Sequence, residues 1–110
     1  MARSTLSLLQ GTVDVLVLRT LSFGRNHGFG IASWIRARTE GELNVEDAAL
    51  YQALHRLERQ GLIAAEWGLS ENNRRARFYQ LTHEGRQRLR AEVSQWRRYA
   101  EAVFKVLEPA

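Results

Sequence analysis

The apolar positions of this chain recur first at helical spacing, then alternate, then return to helical spacing. Leu6, Leu9, Val13, Leu16 and Thr20 fall on one stripe and predict a helix from Leu6 to Leu21, closed by "FGRN". A second helix begins near "HGFG", turns Ile31, Ala32 and Ile35 inward, and ends before Gly41. The segment "AALYQALHRLERQG" has the cleanest periodicity: Leu50, Leu54 and Leu57 stand at i, i+4 and i+7, with Gly61 as the stop. "LIAAEWGLS" and "ARFYQLT" then read as two strands, joined by a turn at Asn72 and Asn73. Thr82 is suited to cap a last helix that meets no breaker until Pro109.

The order is three helices, a hairpin and a long helix. It predicts a mainly α protein with a small β-hairpin, a winged helix-turn-helix followed by a long C-terminal helix. The expected division is a winged-helix domain over residues 1–82 and a dimerisation helix over 83–110. Leu89, Val93, Trp96, Ala100, Val103 and Leu107 step along that helix by 4, 3, 4, 3 and 4, a heptad-type seam. A domain this small has little surface to cover so long a stripe, so a second copy of the chain is the expected partner. The alternative is that the helix folds back on its own domain.

Composition narrows the class. The chain has 110 residues, 45% hydrophobic and 25% charged, which argues against general disorder. It has no cysteine, hence no disulfide framework and no thiolate metal site. Asp14 and Arg19 interrupt the apolar N-terminal stretch, and no run is long enough to span a bilayer, so a cytoplasmic protein without membrane contact is expected. The net charge of +4 is unevenly placed. Residues 74–98 hold eight arginines against two glutamates, while residues 1–73 hold seven basic and eight acidic side chains. A polyanion is the natural partner for that concentration; the plainer reading is a solvated helix face plus a basic loop.

The third helix has a second face. Gln52, His55, Arg56 and Arg59 stand at i, i+3, i+4 and i+7, opposite the leucines, with Tyr51 at the edge. Each can hydrogen-bond to phosphate or base edges, as a reader of the major groove requires. Any amphipathic surface helix is also polar outside, so the hairpin matters. Its tip offers Asn72, Asn73, Arg74 and Arg75, and Arg77 follows on the return strand. These amide and guanidinium donors suit phosphates and a narrow minor groove. Tyr79 and Leu81 are expected to pack inward, and Trp67 to serve core or hairpin packing.

The segments "LLQGTVDVLVLRTL", "HGFGIASWI", "ALYQALHRLERQGLIAAEWG" and "NNRRARFYQLTHEGR" together resemble the PadR family of bacterial transcriptional regulators. The resemblance runs from about Leu8 to Leu89 and is strongest to the short members with one C-terminal helix. It implies a homodimer that represses transcription at a two-fold related operator. Tyr51 matches the tyrosine near the start of the recognition helix, and Arg74 and Arg75 match the basic wing. Gln52 stands where these proteins usually carry proline, and "VEDAAL" where a Ser/Thr-Pro-Gly helix start is common. The resemblance also implies a small aromatic effector at the dimer interface, stacked on a tryptophan of the last helix. Trp96 stands in that stretch, with plain interface packing as the alternative.

Other chemistry is weakly signalled. His27, His55 and His83 are scattered without metal-ligand spacing, and His27 and His83 are read as helix starts. "GFG" lacks the third glycine of a dinucleotide loop, since Ser33 stands there. No nucleophile–base set appears, so neither a cofactor nor an enzyme is expected. A winged-helix interaction module and a structured-RNA binder remain as competing readings.

Overall fold

The structure, a computed structural model, describes residues 11–109. Seven elements follow in chain order: α1 (Thr12–Leu21), β1 (Asn26–His27), α2 (Gly28–Arg38), α3 (Asp47–Arg59), β2 (Ile63–Leu69), β3 (Arg75–Leu81) and α4 (His83–Leu107). The sheet is antiparallel in the order β1-β3-β2. Strand β1 is an addition to the expected hairpin: Asn26 pairs Tyr79 and His27 pairs Phe78. Two residues are too few to show alternation in sequence.

The first helix differs from its expected extent. It starts at Thr12, because Gly11 takes the left-handed conformation at φ 85 and departs from the helical path. Leu6 and Leu9 lie outside the described residues. The inward face is also rotated: Val15, Val17, Leu18, Thr20 and Leu21 are buried, while Val13 and Leu16 are only partly covered. Thr20 is tolerated inside because its hydroxyl donates to the Leu16 carbonyl at 2.8 Å.

Around Leu18 and Leu21 the core gathers Ile31 and Ile35 from α2, Val45 from the loop, and Leu50, Leu54 and Leu57 from α3. Leu62 and Ile63 close it at the sheet, together with Tyr79 and Leu81, which point inward as the alternation predicts. From α4, Leu89 joins the same core and Val93 and Trp96 lean on its edge. The first turns of α4 are therefore part of the winged-helix core.

Two close approaches fix the exit of α4. Thr82 accepts a hydrogen bond from the Gly85 amide at 3.1 Å, the expected cap, and its hydroxyl donates to the Gly61 carbonyl at 2.7 Å. Gly85 lies against the Leu62 carbonyl, and a Cβ there would come within 2.0 Å of that oxygen. No larger residue fits without displacing the helix.

Candidate nucleic-acid interface

Helix α3 is seated by its apolar face. Leu50, Ala53, Leu54 and Leu57 are buried. On the opposite side Gln52, His55 and Arg59 are exposed and share one face. Tyr51 flanks it, 55% exposed, with its ring against Gly28, where a Cβ would come within 3.1 Å of the phenol oxygen. The "HGFG" stretch thus serves helix-start packing: Gly28 admits the tyrosine, and the His27 ring accepts from the Gly30 amide at 3.0 Å. His83 opens α4, as read from sequence.

Arg56 does not share the outward direction of its neighbours. Its Nε donates to Asp14 Oδ2 of α1 at 3.2 Å, and a second guanidinium nitrogen donates to Oδ1. The pair is half-exposed. Hydrogen bonding to Asp14 is the largest cause raising the Arg56 pKa above its already high ordinary value. On the other flank of α3, Glu58 Oε2 receives the Arg77 guanidinium of β3 at 2.8 Å. Two of the expected basic contacts are therefore engaged within the chain.

The wing itself is rigidly made. Strands β2 and β3 pair from Ile63↔Leu81 to Leu69↔Arg75. The connecting turn is closed by Ser70 and Arg74: the Ser70 amide donates to the Arg74 carbonyl and the Asn73 amide to the Ser70 carbonyl, each at 2.8 Å. Asn73 takes φ 60, a left-handed conformation that asparagine accepts more readily than most residues. Asn72, Asn73, Arg74 and Arg75 are all exposed at this tip. Arg75 lies over the Trp67 ring at 4.5 Å. Trp67 is 59% exposed, so it supports the hairpin surface and takes no part in the core. On the reverse face, Arg25 lies over Phe78 at 4.4 Å and pairs Glu66 at 3.3 Å, bracing the wing against the α1–α2 connection.

Sequence reasoning did not find Asp14, Arg25 or Glu58 at this surface. The Asp14–Arg56 pair joins residues 42 apart and the Glu58–Arg77 pair residues 19 apart, distances over which spacing carries no signal.

Along α4 the expected seam divides. Leu89 is 6% exposed, Val93 and Trp96 are partly covered, and Ala100 and Val103 are intermediate. Leu107 is 70% exposed, and Phe104 and Val106 are also open. The Trp96 and Tyr99 rings meet edge to face with centroids 6.0 Å apart. Among the described residues no group of three or more His, Cys, Asp or Glu is arranged to hold a metal ion, and no helix is long and apolar enough to cross a membrane.

Three helices, a wing behind the third and an outward polar face on that helix define a winged helix-turn-helix regulator of the DNA-binding class. The sequence profile of the Transcriptional regulator PadR-like family matches residues 17–91, and the chain belongs to that family. Its fold is similar to a transcriptional regulator from Clostridium thermocellum, at 29% identity and TM-score 0.80, over 87% of this chain and 93% of the other. It is also similar to a PadR family transcription regulator from Clostridium difficile, at 28% identity and TM-score 0.74, over 90% of this chain and 100% of the other. A PadR family transcriptional regulator from Eggerthella lenta shares 31% identity with TM-score 0.77, over 92% of this chain and 86% of the other. Members of this family are transcriptional regulators and not enzymes.

Proposed function

We propose that the chain acts as a homodimeric repressor in the cytoplasm, binding a two-fold related operator on double-stranded DNA. The observation that carries this reading is the exposed Gln52–His55–Arg59 face of α3, flanked by Tyr51, which lines one cleft with Arg75 and Arg77 of a wing whose turn is closed by hydrogen bonds. Gln52 and His55 present hydrogen-bonding groups to base edges in the major groove, and Arg59 meets bases or phosphates. Tyr51, Asn72, Asn73, Arg74 and Arg75 contact the backbone or the minor groove. Because the turn is already hydrogen-bonded, the wing loses little conformational freedom on binding.

The dimer is supported by the uncovered end of the α4 seam. Ala100, Val103 and Leu107, widened by Phe104, continue a stripe whose start the chain's own core covers. A second copy joined there sets two recognition helices on one duplex, with half-sites about 10 bp apart or a multiple of it. Trp96, at the junction of the covered and open parts, is the stacking site proposed for a flat aromatic effector that releases the operator.

Duplex fragments selected from a random pool test the reading. Affinity must fall steeply with salt, and Arg74→Ala must weaken all sequences alike while reducing the salt slope by about one per subunit. A chain that binds no duplex in dilute salt is an interaction module on a winged-helix scaffold. Quenching of tryptophan fluorescence by planar dyes, lost in Trp96→Ala, tests the effector.

A further inference from the structure

Arg56 and Glu58 stand two residues apart, about 200° around the helix, so they occupy opposite flanks of the Gln52–His55–Arg59 face. Each is held by a partner of opposite charge on a different element. Asp14 of α1 holds Arg56 through two hydrogen bonds, and Arg77 of the wing reaches Glu58 at 2.8 Å. Both pairs are half-exposed, and such pairs add little to folding because water screens them. Their geometry is more telling than their energy. One tether pulls α3 toward α1 and the other ties it to the wing, so together they resist rotation of α3 about its axis.

We propose that Asp14 and Glu58 are positioning residues for DNA reading: they hold Arg56 and Arg77, fix the roll of α3 and its spacing from the wing, and withhold two cations from phosphate. This rests on the DNA-binding reading above. Base contacts tolerate only about 10–20° of misalignment, and the two flanking pairs add a constraint on roll to the one set by the buried Leu50, Leu54 and Leu57. Of the five arginines on α3 and the wing, Arg59, Arg74 and Arg75 carry no ion pair among the described residues. A phosphate is a chemical equivalent of the two carboxylates, so Arg56 or Arg77 released from its tether becomes a sequence-blind contact.

The test compares one selected duplex with a scrambled duplex of equal length, by anisotropy across a range of salt. In Glu58→Gln the freed Arg77 binds phosphate. The scrambled duplex is then bound more tightly, the salt slope steepens by about two for a dimer, and the selected-to-scrambled ratio falls roughly tenfold. Asp14→Asn does the same through Arg56. Arg77→Gln alone leaves the slope unchanged and lowers the ratio, and the Glu58→Gln/Arg77→Gln double variant returns the slope to its native value. A slope that drops by about two in Arg77→Gln overturns the proposal, because Arg77 is then itself a phosphate contact. A lowered melting temperature with unchanged slope and ratio also overturns it, leaving the pairs a purely structural role. If the native chain shows no salt-dependent duplex binding, the functional reading itself has failed; native binding with insensitive variants sinks only the tethers.

Discussion

Helices α3 and α4 are both amphipathic, yet their apolar stripes meet different fates. In α3 every stripe residue is buried within the domain, so the reading face is oriented by the chain alone. In α4, 25 residues and about 37 Å long, the stripe is covered near Leu89 and open from Phe104 onward. A short helix gets its position from one core. The long one outruns that core and leaves Phe104, Val106 and Leu107 exposed at its far end. Under the proposed function, reading and pairing would fall to separate parts of one chain, and each could be damaged without the other.

The largest expected effect breaks the first half of that contrast. Leu54→Ala should cost about 2–5 kcal/mol of folding stability by urea unfolding, because the cavity falls at the centre of the core. Phe104→Asp with Leu107→Asp attacks the other half. Sedimentation should show association weakened by about 2 kcal/mol or more, with the fold intact by circular dichroism. Loss of folding there would mean the far end of α4 serves the domain after all. Gln52→Ala, next in size, should change discrimination at one base position by about 1–3 kcal/mol, and a uniform loss across sequences would reassign Gln52 to the backbone.

The smallest effect is a matter of pH. Burial raises the Tyr79 pKa above the ordinary 10.0, with the Arg77 charge opposing it. The neutral phenol is thus favoured by folding, so this contribution is fully present below pH 10 and is lost as pH rises through the folded pKa. Tyr79→Phe should flatten the alkaline limb of stability measured between pH 9 and 11, values chosen to span the ordinary phenol range of about 10. An unchanged limb would place the alkaline loss elsewhere.

Much of this was legible in the chain. The leucines of α3, the alternation of β3, the Thr82 cap and the asparagine turn depend on local spacing, and each stands where spacing put it. In α1 the buried face differs from the expected stripe. Nearly every position there is apolar, so periodicity had several possible faces, and the buried one runs through Val17, Leu18 and Leu21. Strand β1 depends on a partner some fifty residues downstream and has no pattern of its own. The site was half legible: the outward polar face and the wing tip could be read. Arg56 and Arg77, equally basic on paper, were sorted from Arg59 and Arg74 only by where folding brought Asp14 and Glu58. Of the two roles expected for Trp67, core or hairpin packing, it takes the second: it stays exposed on the hairpin with Arg75 over its ring.

In the proposed dimer, the contact between Gly85 and the Leu62 carbonyl would bear on operator geometry. Wing and arm meet at a joint without slack, like the pivot of a pair of callipers. In the paired molecule, the gap between the two reading heads would be set by that pivot and not by the DNA. Inserting a few base pairs at the centre of the operator should then be as damaging as replacing the bases themselves.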